Sequence, residues 1–150
     1  MFVNLLVPLD GSPQSKYVVD LARRAASNKA VVHLLCVVDP SFLLTPHEEG
    51  ADASEILIYP AAHSQTLLAQ SILATAAAEL SQSDLTVEQH LCGGVPADVV
   101  IEQAKVLGAD IIVMGHHHLS RLRRWANPST SGEVIDRSPC AVLIETRDSH

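Results

Sequence analysis

The chain has 150 residues, the size of one domain with one core. Its 47% hydrophobic and 18% charged content excludes an intrinsically disordered chain. Only 3% is aromatic, which leaves few rings for stacking bases, and 10 Lys+Arg against 17 Asp+Glu give a net charge of -7 that repels phosphate polymers and anionic membrane surfaces. No nucleic-acid or membrane partner is therefore expected. Cys36, Cys92 and Cys140 are an odd number, far apart and without a C-x-x-C pair, so neither a disulfide framework nor a cysteine zinc site is indicated and a reducing compartment fits. Met1-Phe2-Val3-Asn4 enters an apolar run without the basic start of a signal peptide, and no run reaches membrane-spanning length. A cytoplasmic location is the expectation.

Phe2–Leu9 reads as a buried strand, ended by Asp10-Gly11-Ser12-Pro13. Ser12 as N-cap and Pro13 at the first helical position open a helix predicted over about 13–27, with Val18, Val19, Leu21, Ala22, Ala25 and Ala26 at helical spacing. Val31–Val38 is a second strand, rich in β-branched residues and stopped by Asp39-Pro40. From Ser41 to Pro60 the pattern dissolves into a variable loop. Ala61–Leu80, without Gly or Pro, is a long helix. Leu85–Cys92 alternates, with Thr86, Glu88, His90 and Cys92 on one side, the mark of an edge strand with a polar face. Gly93-Gly94-Val95-Pro96 leads into a helix over about 97–107, with Gly108 placed to end it. Asp110–Met114 is an apolar strand. A loop of His, Arg and Trp, a helix starting near Ser129 and a strand at Cys140–Ile144 complete the chain.

The βαβαβαβαβ alternation, with most strands apolar on both faces, predicts a Rossmann-like α/β fold: one doubly wound parallel sheet with helices on both faces and right-handed crossovers. Such sheets bind ligands outside the carboxyl ends of their strands, where the strand order reverses. The relevant loops are Asp10–Pro13, Asp39–Pro40, Gly93–Pro96 and Gly115–Pro128.

Several motifs stand in order along nearly the whole chain. They are Val7-Pro8-Leu9-Asp10-Gly11-Ser12, Cys36-Val37-Val38-Asp39, Gly93-x-x-Pro96-Ala97, Ala109-Asp110-x-Ile112-Val113-Met114-Gly115 and Ser138-Pro139-Cys140-Ala141-Val142-Leu143. Together they resemble the universal stress protein family. The resemblance implies five strands in the order 3-2-1-4-5 and a homodimer joined through the last strand. Cys140–Ile144, apolar on both faces at an open edge, would be an aggregation liability unless a second copy or a tail covered it.

Nucleotide-binding members of that family follow the fourth strand with Gly-x-x-Gly, nine residues, then Gly and Ser/Thr. Glycines there let backbone N–H groups approach phosphates at a helix N-terminus. In this chain Gly115 keeps the first position, but His118 and Pro128 replace the other two glycines and Ser129 keeps the hydroxyl. His118 adds a side chain and Pro128 removes an N–H donor, so the usual phosphate grip is impaired. Arg121, Arg123 and Arg124, with Ser129, Thr130 and Ser131, offer a different grip or simply a solvated surface and a helix cap. The resemblance also places Asp10 near the ribose or a phosphate-bound Mg²⁺, puts the Val37 backbone at the adenine edge, and has Pro8 and Gly115 shape the wall. Asp10 equally fits a turn residue after a strand. The cofactor-binding set is thus Pro8, Asp10, Val37, Met114, Gly115, His118, Arg121, Ser129 and Thr130.

His116-His117-His118 invites a metal reading, yet in extended backbone only His116 and His118 face the same way, and the spacing nominates no third ligand. A Ser129–His118 nucleophile pair lacks both a G-x-S-x-G elbow and an orienting residue, so no catalytic residue is assigned. The expectation is a stress-response protein that acts by binding rather than catalysis and carries a degenerate phosphate loop. The alternative is an adenine-nucleotide switch or slow ATPase using Arg121, Arg124 and Ser129, with AMP or ADP tolerated better than ATP. A third reading makes Arg121–Trp125 a docking anchor for a protein partner.

Overall fold

The computed structural model describes residues 1–39, 60–116 and 130–147. Among these residues five strands alternate with four helices: β1 Phe2–Pro8, α1 Ser15–Ala25, β2 Ala26–Val38, α2 Pro60–Leu80, β3 Thr86–Gly93, α3 Pro96–Leu107, β4 Ile111–Gly115, α4 Thr130–Arg137 and β5 Ala141–Glu145. All strand pairs are parallel and the order is β3-β2-β1-β4-β5, as the resemblance implied. The chain leaves β1 in one direction for β2 and β3, then returns to its other side for β4 and β5. Right-handed crossovers then put α1 and α2 on one face and α3 and α4 on the other, and each pair packs together.

The sheet interior explains the aliphatic excess. Leu5, Leu6 and Val7 of β1, Val32, Leu34, Leu35 and Val37 of β2, and Ile112 and Val113 of β4 are wholly buried. Alternate residues meet opposite helical layers, and both layers are apolar, which is why these strands read as unbroken hydrophobic runs. β3 is an edge with a mixed face, as its alternation predicted.

Three boundaries differ from expectation by two residues or more. Helix α1 begins at Ser15 rather than residue 13, and Gln14, not Ser12, stands at its N-cap position. Ser12 and Pro13 instead belong to a turn in which Ser15 N–H donates to the Ser12 carbonyl (3.0 Å). The helix also ends at Ala25, because β2 starts at Ala26 rather than Val31. Phe2 pairs with Ala26 and Asn4 with Val31, so the added length slips register around Lys29, which adopts a φ of +64°. Pairing with β1 overrides the helical spacing of residues 26–27, and Lys29 N–H is taken by the Asp84 carbonyl at 3.1 Å.

Helix α3 has Pro96 in its first turn and ends on Gly108, whose φ of +67° is the left-handed conformation that glycine takes without strain. The loop expected at 41–60 lies, apart from Pro60, outside the described residues, as do His117, His118, Arg121–Trp125, Pro128 and Ser129.

Candidate functional site at the carboxyl edge of the sheet

The strand order reverses between β1 and β4, so the crevice begins between the ends of these two strands. Six of the expected site residues fall at this edge. Pro8 ends β1 and Asp10 follows it, Val37 is near the end of β2, Met114 and Gly115 end β4, and Thr130 opens α4. Because β1 pairs with both β2 and β4, these ends are neighbours. The side chains of Val37 (0% exposed) and Met114 (2%) are in the core, so only their backbone can face a ligand.

Asp10 is held by its own turn. Its Oδ1 accepts from Ser12 N–H at 2.9 Å and from Ser15 Oγ at 3.5 Å. Burial raises its pKa from the ordinary aspartate value, although these hydrogen bonds pull the other way. Burial, and secondarily the Asp10 charge, push the Cys36 thiol up to about 12, which makes it a packing residue rather than a nucleophile. Leu9, Gly11, Ser12 and Pro13 line one side of a cleft of about 260 Å³ whose other side is Ile72 and Thr75 of α2.

The raised Asp10 pKa has a measurable consequence. The folded chain holds the Asp10 proton more tightly than the unfolded chain, so stability falls as pH rises from the unfolded value, near 3.8, through the higher folded one. Asp10→Asn keeps an acceptor for Ser12 N–H and removes the buried charge. It is expected to melt higher than wild type at pH 7 and to lose that advantage below the unfolded carboxylate pKa. Differential scanning calorimetry from pH 3 to pH 8 checks this.

Gln14 has a role that its sequence position concealed. It is 2% exposed, and its Nε2 donates to the carbonyls of Glu145 (3.0 Å) and Arg147 (2.8 Å), tying the end of β5 to the β1–α1 turn. A β-carbon on Gly115 would run into Gln14 Oε1 and stand 2.9 Å from its Cδ, so glycine at the end of β4 is required by the amide packed on it. Arg147 completes the clamp. Its Nη2 donates to Glu145 Oε2 (2.8 Å) and Asp20 Oδ2 (3.2 Å), and its guanidinium lies 4.9 Å from the Tyr17 ring centre. The Arg147 guanidinium holds the Glu145 carboxyl below its ordinary pKa. His116 Nδ1 lies 3.3 Å from the Glu145 carbonyl, so the first histidine of the triplet hydrogen-bonds within the fold.

A second polar group escaped the sequence reading. On β2 and β3, His33 stands in register with Glu88, two residues before His90. His33 is 6% exposed, and its Nε2 is 2.8 Å from Asn4 Oδ1. Burial lowers its pKa against the pull of Glu88. The signal was a histidine inside an apolar strand and an asparagine inside another, which one-dimensional spacing does not join.

Doubly wound α/β sheets take their ligands in the crevice at such a switch point. A family model, "Universal stress protein family", matches residues 1–145. The chain belongs to the universal stress protein family. It is 32% identical over 151 residues to universal stress protein A homolog 1 of Coxiella burnetii, covering 95% of this chain and 94% of that protein. The solved structure of hypothetical protein MJ0577 superposes with a TM-score of 0.79 at 22% identity, covering 100% of this chain and 99% of that one. A universal stress protein solved in complex with cAMP superposes with a TM-score of 0.70 at 25% identity, covering 98% and 99%.

Proposed function

We propose that this protein is a cytoplasmic stress-response domain that acts by binding an adenine nucleoside monophosphate at the carboxyl edge of its sheet, without turnover of its own. The observation that carries the reading is Asp10, a part-buried carboxylate oriented by Ser12 N–H beside the β1/β4 switch point. A carboxylate there accepts hydrogen bonds from ribose hydroxyls, and the Val37 backbone offers polar groups to the base edge. The relative solved with cAMP supports the same ligand class. The substitutions His118 and Pro128 fall in the part of the loop that serves outer phosphates, so a monophosphate suits this chain better than ATP. His118, Arg121, Ser129 and Thr130 would supply what phosphate grip remains. A Mg²⁺ ion accompanying a longer nucleotide would be held by phosphate oxygens with Asp10.

Two further features belong to this reading. The apolar residues Val142, Leu143 and Ile144 of β5 are only half-buried, and β5 is a sheet edge, which supports pairing with β5 of a second copy. The three cysteines are unpaired, which suits the reducing cytoplasm. No described helix is long and apolar enough to cross a membrane.

The test is isothermal titration with AMP, cAMP, ADP and ATP plus Mg²⁺. Micromolar AMP or cAMP binding is expected, with ATP no tighter. Asp10→Ala is expected to weaken it by roughly 10- to 100-fold, the worth of a charge-assisted hydrogen bond. No heat at millimolar ligand overturns the reading, and ATP release of phosphate under the same conditions favours the slow-ATPase alternative.

A further inference from the structure

The Asn4, His33, Glu88 and His90 group lies away from the carboxyl edge. Asn4 Nδ2 donates to the carbonyls of Leu107 (2.7 Å) and Gly108 (2.9 Å) at the end of α3. That fixes the amide orientation and leaves Oδ1 as the atom facing His33, so His33 Nε2 carries the hydrogen and donates it (2.8 Å). His33 Nδ1 is then the lone-pair atom. It accepts a hydrogen bond from His90 Nε2 at 3.0 Å, and Glu88 Oε2 lies 3.2 Å from it and 3.9 Å from His90 Nε2.

Three potential ligand atoms from two adjacent strands therefore lie within 4.8 Å of one another, and His90 presents its Nε2 lone pair once its hydrogen moves to Nδ1. A tetrahedral ion with bonds of about 2.0–2.1 Å has ligand–ligand edges of about 3.3 Å, and the three observed edges bracket that length. The outer shell is also of the right kind. A ligating imidazole normally donates its other N–H to a fixed acceptor, and Asn4 is that acceptor for His33. The side chains of Glu88 and His90 are 52% and 23% exposed, which leaves an entry path and an open side for water.

We propose that His33, Glu88 and His90 form a binding site for a zinc-type divalent transition ion on the β2–β3 edge of the sheet. Two imidazoles and one carboxylate match zinc chemistry and are a poor set for Mg²⁺ or Ca²⁺, which take oxygen ligands. The site needs no nucleotide, and it stands or falls separately from the carboxyl-edge reading.

The test uses the full chain without a polyhistidine tag, titrated with Zn²⁺ by calorimetry and with Co²⁺ by visible absorption. The wild type is expected to bind one ion per chain, to show the intense visible band of four-coordinate Co²⁺, and to melt about 5–10 °C higher at Zn²⁺ 100-fold above Kd. His90→Ala and Glu88→Gln, at accessible positions that spare the core, are each expected to weaken binding at least about 10-fold. A control carries His117→Ala and His118→Ala, so that the histidine triplet is tested as the rival site. The proposal is overturned if the wild type takes up no ion, if His90→Ala and Glu88→Gln bind as tightly as wild type, or if binding is lost in the control.

Discussion

Asn4→Ala is expected to destabilise the fold by about 2 kcal/mol and to lower Tm by about 4–8 °C, although it removes only a small side chain near the start of β1. Three hydrogen bonds end on this amide: Nδ2 to the Leu107 and Gly108 carbonyls, and Oδ1 from His33. The carbonyls are among those a helix cannot satisfy internally at its C-terminus, so Asn4 serves as a remote cap for α3. The Gly108 carbonyl is exposed and can turn to water, which keeps the expected loss below the sum of three buried bonds. The nearby backbone bonds will survive: Asp110 still accepts from Val3 N–H and Asn4 N–H, and Asp110 N–H still donates to the residue 4 carbonyl. Asn4→Asp is expected to be worse than alanine at neutral pH, because a carboxylate cannot donate to two carbonyls and would face them as a like charge. Urea denaturation of the three proteins measures both differences. An Asn4→Ala midpoint equal to that of wild type would remove the cap argument.

The second large effect is at Gly115. Gly115→Ala places a methyl group against the Gln14 amide, and that amide is buried and bonded to two carbonyls at the end of β5. Either the amide moves and both bonds break, or the β4 end moves away from the site. The expected cost is roughly 1–3 kcal/mol. Gln14→Ala alone is expected to cost a similar amount by releasing the end of β5. Since both act through one contact, the double variant should lose clearly less than the sum of the singles, a coupling of about 1 kcal/mol. Additive losses would mean that Gly115 is not constrained by Gln14. The cycle also reports on function: Gly115→Ala should weaken nucleotide binding, and Gln14→Ala should restore it if the glycine matters only for space.

These two positions show where one-dimensional reading stops. The apolar runs Val31–Val38 and Asp110–Met114 and the alternation of Leu85–Cys92 disclosed parallel strands and one edge, because side-chain period and burial on two faces are local properties of the chain. Gly108 announced the end of α3 for the same reason: only the backbone at that residue is involved. Asp10 was legible as both turn residue and ligand candidate, and its hydrogen bond from Ser12 N–H is as local as the motif that suggested it.

The start of β2 was not legible, since Ala26 leaves the expected helix to pair with Phe2, a partner two dozen residues away. Gln14 looked like one more polar residue at a helix start until the end of β5 closed over it, 131 residues further on. His33, Glu88 and His90 became a single group through the β2–β3 register, and Asn4 joined them through β1. Periodicity and local turn chemistry were enough to specify an aliphatic α/β fold and the sheet edge at which the proposed nucleotide would lie. Which polar atoms meet, and hence the clamp on β5 and the candidate ion site, depended on strand order and register, because those are set by contacts between segments far apart in the chain.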